Sequence, residues 1–312
     1  MKISVIIVTL NRKEDLRTTL EGFFCQTYKN FEIIIIDNAS TDGTKEMITQ
    51  EYSQVKYFWL PDNFDIRSIN IGIEMSDGDI IWRTDSDSNP ETEFEFQKVI
   101  DIFQKHQDID IIAMEDIEVR RGHIWEWYPF IVDKVNIPEK GYNANVFPGT
   151  GAAIRRKVYN KIGGFWEFGY EEIDFCTRAI LNGFSVRYFP NIRVLHYATP
   201  IERNSSERWI RISKQLLRYN VKYFRGFNLF SRIIIIFFSQ LIQALSSRVS
   251  IGALVEGFFL INAQMISTFR KERVSVPKEM YPEITLGVSF FKVQVDYYYK
   301  LFVGKIKKLF KK

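Results

Sequence analysis

Between residues 4 and 114 five short runs, 4–9, 31–36, 55–60, 80–84 and 109–114, are apolar almost throughout and alternate with segments of helical periodicity. A strand with one wet face alternates polar and apolar side chains, so runs of this kind belong to a sheet covered on both sides. Between the first two runs Leu16, Leu20, Phe23 and Phe24 recur at spacings of four, three and one, which puts them on one helical face. Residues 44–51, 66–75 and 92–105 fill the later intervals as further helices. The alternation specifies an α/β fold with a mostly parallel sheet between helices. The opening MKISVIIVTLNR holds one Lys, an apolar run too short for a signal peptide and no small-residue cleavage pattern, and reads as the first strand.

Sheets of this kind bind ligands beyond the carboxyl ends of their strands. Those ends are residues 9–12, 37–40, 61–63 and 84–87, so polar residues gather along one edge, where a nucleotide would lie. Asn11-Arg12-Lys13 stands where a dinucleotide fold needs glycines, which argues against nicotinamide or flavin. At the fourth strand end Asp85-Ser86-Asp87 places two carboxylates two residues apart. Hard oxygen ligands there suit Mg²⁺ or Mn²⁺ and, through the metal, a diphosphate. The competing reading is that both Asp side chains only satisfy backbone N–H groups in the loop before the next helix.

Beyond residue 117 the alternation breaks into aromatic-rich pieces holding Trp125, Trp127, Tyr128 and Phe130, either packed core or a rim that receives the apolar faces of sugar rings. In residues 146–197, Gly149, Gly151, Gly163 and Gly164 allow close backbone approach or positive φ. Glu171-Glu172-Ile173-Asp174 opens a helix whose Phe175, Ala179 and Leu181 face inward and which Asn182-Gly183 closes. Acidic residues in a first turn are favoured by the helix dipole whatever else they do.

The order of these pieces resembles the family 2 glycosyltransferases, including bacterial polysaccharide and rhamnosyltransferase-like members. The matching pieces are SVIIVTLNR at 4–12, IIDNASTDGT at 35–44, NIGIEMSDGD at 70–79, DSD at 85–87, and GTG, EEIDFCTRAILNGF and a final His between 149 and 196. The resemblance covers about the first 200 residues. It implies the GT-A fold, a Rossmann-like sheet covered by helices, and inverting, nucleotide-sugar-dependent transfer. It further implies that Thr9, Asn11, Arg12 and Asp37 hold the nucleobase and ribose. Asn70, Gly72 and Asp79 match the segment before the metal motif, with Asn70 and Gly72 as readily helix packing as ligand contact. Asp87, with Asp85 through water or the ribose, is implied as the holder of Mn²⁺ or Mg²⁺. His196 is implied as a further metal or diphosphate contact, and Gly149-Thr150-Gly151 as the floor under the donor sugar. Glu172 stands where relatives carry Asp and is the expected base, with Glu171 or Asp174 orienting it or binding acceptor hydroxyls. Arg83 departs from the apolar strand end of many relatives; it reaches a phosphate or an acceptor anion, or points into solvent.

Charge divides unevenly, with a Lys+Arg minus Asp+Glu balance of −9 over residues 1–200 and +13 over 201–312. The expected division is a GT-A domain over 1–200 and a basic, amphipathic helical extension over 201–312. In the extension, 229–245 contains IIIIFF but also Gln240 and Gln243, and 251–269 carries Glu256, Asn262 and Gln264. Neither is a clean spanning helix. Flanking Arg225, Arg232, Arg248, Arg270, Lys271 and Arg273, and the final KLFVGKIKKLFKK, suit an anionic membrane surface. The alternative is packing on the catalytic domain or a homodimer. No recognised motif accompanies the charge, so a nucleic-acid partner is not expected.

Cys25 and Cys176, far apart and without metal-ligand spacing, fit a reducing compartment. The chain therefore reads as a cytoplasmic enzyme, peripheral on the inner face of the cell membrane. It would take a UDP-, dTDP- or GDP-linked sugar to a glycan or lipid-linked acceptor in polysaccharide assembly. Two rivals fit less well. A sugar nucleotidyltransferase needs a glycine-rich loop after the first strand, and TLNRKEDL has no glycine. A non-catalytic scaffold of the same fold has no need to retain Asp85, Asp87 and the acidic pair.

Overall fold

The computed structural model describes residues 1–119, 123–124, 129–198, 206–247 and 263–288, with single positions at 250, 252–253, 255–256 and 292. Trp125, Trp127, Tyr128, Arg248 and residues 300–312 lie outside the described residues, as does most of 251–262. The chain forms two compact units, Met1–Glu167 with Glu171–Thr199 and Phe168–Tyr170 with Pro200–Lys312.

The first unit is built on a sheet of β1 (Ile3–Thr9), β2 (Phe31–Asp37), β3 (Lys56–Trp59), β4 (Ile80–Asp85), β5 (Ser88–Pro90), β6 (Ile111–Glu118), β7 (His123–Ile124), β8 (Tyr142–Asn143), β9 (Ala152–Arg155) and β10 (Val186–His196). Its order is β3-β2-β1-β4-β9-β6-β10-β5, with β7 on β6 and β8 on β10. The pairs β3–β2, β2–β1, β1–β4 and β6–β10 are parallel. The helices are α1 (Lys13–Phe24), α2 (Thr44–Glu51), α3 (Ile69–Glu74), α4 (Glu95–Lys105), α5 (Arg156–Ile162) and α6 (Glu171–Leu181).

Strand side chains alternate between two cores, as a doubly covered sheet requires. Ile3, Val5, Ile7, Ile80 and Trp82 pack with Leu16, Leu20 and Phe23 of α1 and Phe96, Val99 and Phe103 of α4. Ile6, Ile34, Ile36 and Ile81 pack on the other side with Ile69 and Ile73 of α3, Val158 of α5, and Phe175 and Ala179 of α6. Phe96 stands at the centre of the first core, its ring 5.0 Å from Trp82, 5.2 Å from Phe31 and 5.8 Å from Phe23. Phe96→Ala is expected to destabilise the fold by about 3–5 kcal/mol, the range for truncating a buried aromatic. A urea midpoint unchanged from the wild type would contradict that placement.

Two departures from the alternating pattern shape the site. Strand β9 runs antiparallel between β4 and β6, with Arg83 opposite Ala152 and Ala113 opposite Ala152 on the other side. Its amino end, not its carboxyl end, therefore reaches the ligand edge, and the 149–151 loop arrives there with it. Strand β6 also continues to Glu118, past the apolar run that ends at Met114. Its last turns carry Glu115, Asp116 and Glu118, all buried, which as a charge-rich stretch resemble a loop in sequence.

The second unit holds α7 (Ser206–Tyr223), α8 (Gly226–Ser247), α9 (Ala263–Lys271) and α10 (Tyr281–Thr285). Arg218 of α7 binds Glu272 beyond α9 through both carboxylate oxygens, at 2.9 and 3.1 Å. The guanidinium of Arg232 lies 3.5 Å from the Phe224 ring centroid. Among the described residues no helix is long and apolar enough to cross a membrane.

Candidate active site

The parallel register of β1 and β2 sets Thr9 beside Asp37. Asp37 is fully buried; its Oδ1 accepts the Ser40 N–H at 2.7 Å and its Oδ2 accepts the Tyr57 hydroxyl at 2.6 Å. Burial and that acceptor raise the Tyr57 pKa, so the phenol stays a donor. Asn11, at a left-handed φ of 51°, donates its N–H to Ser40 Oγ and accepts the Thr41 N–H on Oδ1, both at 2.8 Å. The loops after β1 and β2 thus form one surface. Thr9 Oγ1 is buried there without a hydrogen-bond partner among the described residues. Arg12 spans from Asp15 at 3.1 Å to Asp87 Oδ2 at 3.9 Å, leading from this surface to the end of β4.

At that end Asp85 keeps 43% of its side chain open, while Asp87 is nearly covered. Asp87 Oδ1 lies 3.7 Å from His196 Nε2, and His196 Nδ1 lies 3.2 Å from Asp116 Oδ2. Thr150 donates to the same Asp116 oxygen at 2.7 Å. Burial disfavours an imidazolium, but Asp116 and Asp87 on either side outweigh it and push the His196 pKa up to about 10. Asp116 Oδ1 is buried with no hydrogen-bond partner among the described residues. Asp116 is the residue that sequence reasoning missed. The strand-end rule that found Asp85 applies equally to the end of β6, and following it to residues 115–118 finds Asp116.

Arg83 does not point into solvent. It is 2% exposed, with Nη2 3.2 Å from Glu172 Oε1 and Nη1 3.9 Å from Asp85 Oδ1. Its Nε and Nη1 have no hydrogen-bond partner among the described residues. Gly149 lies directly over this pair: a Cβ there would overlap the Arg83 guanidinium and come within 2.8 Å of Glu172 Oε1. A Cβ on Gly151 would come within 2.9 Å of Val194 Cγ2. Burial, and then the neighbouring Glu171, push the Glu172 pKa up to about 8 against the pull of Arg83.

The remaining candidates have packing or tethering partners. Asp174 is bound to Arg178 at 2.7 Å, and Arg178 in turn donates to the Ile162 and Gly164 carbonyls at 2.6 and 2.8 Å, tying α6 to the turn after α5. Glu171 is buried at the start of α6. Asn70 makes a reciprocal pair with the Phe165 backbone at 2.8 and 2.7 Å. Gly72 lets α3 lie against the sheet, since a Cβ would sit 2.5 Å from Ile6 Cγ2. Asp79 binds the Lys2 N–H at 2.8 Å, at the amino end of β4, the opposite end from Asp85.

Among the described residues no group of three or more His, Cys, Asp and Glu side chains is gathered tightly enough to hold a metal by itself. Asp85 and Asp87 nevertheless offer hard oxygens at the sheet edge, and the open face of Asp85 leaves room for water and ligand oxygens to complete a shell. That donor set fits Mg²⁺ or Mn²⁺, which characteristically keep water and phosphate ligands.

The sequence model described as "Glycosyl transferase family 2" matches residues 4–163, the segment that carries the β1 and β2 loops, Asp85, Asp87 and Gly149. The chain belongs to glycosyl transferase family 2. An uncharacterized glycosyltransferase of Nostoc, alr2836, is 27% identical over 173 residues, 52% of this chain and 53% of that protein. The match thus spans about half the length of that relative. Among solved structures, S. aureus TarS 1-349 in complex with UDP-GlcNAc superposes with a TM-score of 0.59 at 14% identity, over 96% of this chain and 92% of that TarS fragment. The mannosyltransferase PcManGT from Pyrobaculum calidifontis, in complex with GDP-Man and Mn²⁺, superposes with a TM-score of 0.57 at 16% identity, over 87% and 83% of the two chains. At such identities the likeness establishes the fold: the GT-A architecture that the sequence motifs imply, followed by the helical C-terminal portion expected from the spacing beyond residue 200.

Proposed function

We propose that this chain is a metal-dependent, inverting glycosyltransferase that moves one sugar from a nucleoside diphosphate to a hydroxyl of a glycan or lipid-linked acceptor. The observation carrying the reading is the meeting of two kinds of group at one sheet edge. Asp85 and Asp87 suit a cation and His196 the diphosphate beside it, and Arg83 links Asp85 to Glu172, a carboxylate with a raised pKa. The nucleoside belongs on the surface formed by Thr9, Asn11, Arg12 and Asp37. Structural relatives that hold GDP-Man or UDP-GlcNAc support a donor of this class.

Asp85 and Asp87 would hold a Mn²⁺ or Mg²⁺, which would supply positive charge against the departing diphosphate. Asp116 orients His196 beside Asp87, where its imidazole faces the diphosphate position. Inversion requires a base on the face of the sugar opposite the leaving group, to take the proton of the incoming hydroxyl. Glu172 fills that role, held by Arg83, with Gly149-Thr150-Gly151 flooring the donor sugar. Glu171 and Asp174 shape the helix end that presents it. Residues 1–200 carry this chemistry. Residues 201–312 hold the enzyme at the cytoplasmic face of the cell membrane, in polysaccharide assembly, with homodimerisation as the competing role for that part.

The pH dependence has a definite sign. A base works only when ionised, and a carboxyl raised to about 8 is protonated below that value. Transfer should therefore rise with pH and level off above about 8. A rate constant across this range in single-turnover measurements would remove Glu172 from the role. Melting temperatures with UDP-, GDP- and dTDP-sugars, each with and without Mn²⁺, test the whole reading. One nucleotide class should stabilise the protein, and only with the ion. Stabilisation by none of them would count against a donor site here.

A further inference from the structure

Helix α8 turns its polarity inside out. Arg232, Ser239 and Gln240 are buried. Arg232 donates to Asn220 and Asn228 at 3.1 and 3.0 Å, and Gln240 accepts from Ser213 at 2.7 Å. Phe227, Phe230, Ile233, Ile234, Phe237 and Phe238 are instead between 39 and 83% exposed. At 3.6 residues per turn these six cover one continuous arc of about 140°. A helix that meets only water presents the opposite arrangement, and a contiguous exposed apolar face of this kind marks a partner.

The charge beside that face indicates which partner. Arg225 is exposed just before α8, and α9 ends in exposed Arg270 and Lys271. The chain after α9 is bonded back to the α7–α8 junction. The Val274 N–H donates to the Lys222 carbonyl at 3.1 Å, Arg273 Nε to the Val221 carbonyl at 3.2 Å, and Arg225 Nη2 to the Val274 carbonyl at 3.4 Å. Arg225 and Arg273 thus meet where the apolar stripe begins, with Arg270 and Lys271 just before Arg273 in the chain, in a region whose sequence carries a balance of +13.

We propose that this face of α8 docks on an anionic lipid bilayer, with the Phe and Ile side chains among the upper acyl chains and Arg225, Arg270, Lys271 and Arg273 at the phosphates. The helix lies in the interface, because no described helix is long and apolar enough to cross a membrane. The inference deepens the membrane attachment proposed above but uses the second unit alone, so it stands or falls apart from the transfer chemistry.

Co-sedimentation of the full chain with vesicles tests it. The protein should pellet with phosphatidylcholine vesicles that contain phosphatidylglycerol. Binding should weaken about tenfold or more with phosphatidylcholine alone or in high salt. The double variant Phe230→Ser, Phe237→Ser changes two exposed side chains; it should lose binding by about tenfold or more while keeping its melting temperature and its response to nucleotide sugars. Three results would overturn the proposal: a wild type that stays in the supernatant with both vesicles, a double variant that binds as well as the wild type, or a dimer by light scattering that the same two substitutions convert to monomer without any vesicle binding.

Discussion

Glu172→Gln is expected to lower the rate of sugar transfer by about 10²–10⁴, the range for loss of a positioned general base, while donor affinity stays within about twofold. Gln keeps the length and one oxygen of the side chain, so the contact with Arg83 Nη2, now 3.2 Å, remains available. What disappears is the ability to take a proton. Stability should not fall. A carboxyl whose folded pKa is raised to about 8 favours the fold in its protonated form, and that contribution is lost as pH rises through 8. A neutral amide has no such loss, so above pH 8 the variant should melt no lower than the wild type. The same loss of transfer in Glu171→Gln, with Glu172→Gln active, would move the base by one residue. Gly149→Ala approaches the pair from the other side. Its Cβ would displace the Arg83 guanidinium and crowd Glu172, so transfer should fall in a protein that still binds the donor.

Asp87→Ala is expected to remove the gain in nucleotide binding that Mn²⁺ confers and to cut transfer by about 100-fold or more, at least the effect of losing an outer-shell metal partner. Asp87 also stands between Arg12 Nη1, at 3.9 Å, and His196 Nε2, at 3.7 Å. Removing it leaves His196 with only Asp116 among these two carboxylates, so the imidazole should lose its proton at a lower pH than in the wild type. The fold should survive the change, because Arg12 keeps Asp15 and His196 keeps Asp116. Retention of a Mn²⁺-dependent rise in melting temperature by the variant would place the ion elsewhere. Asp116→Asn separates the two roles: it keeps Asp87 but weakens the hold on His196, and should spare the metal response more than Asp87→Ala does.

Most of the fold is legible in the chain because burial on both faces writes itself as unbroken apolar runs, as in Ile33 to Ile36 or Ile80 to Trp82. The antiparallel β9 is not, since Ala152-Ala153-Ile154 looks the same in either direction and only its pairing with Arg83 and Ala113 reveals which end meets the ligand edge. Within the site, the carboxylates at the end of β4 stand out because two acids interrupt an apolar run. Asp116 is hidden because Glu115, Asp116 and Glu118 make the end of β6 look like surface. Arg83 shows the limit of reading one residue at a time. Its charge suggests solvent, yet Phe165, Gly149 and Glu172, all distant in sequence, enclose it. Asn70 and Gly72, in a motif shared with the family, take their tertiary partners from Phe165 and Ile6.

Anomalous diffraction at the manganese edge, from crystals soaked with Mn²⁺ and each of UDP, GDP and dTDP, probes the proposed cation site at the tip of β4 most directly. A peak beside the Asp87 carboxylate, shared with the diphosphate of one nucleotide, is the predicted result. A well-ordered nucleotide at the edge formed by Asn11 and Asp37 with no manganese peak near Asp85 or Asp87 would contradict it.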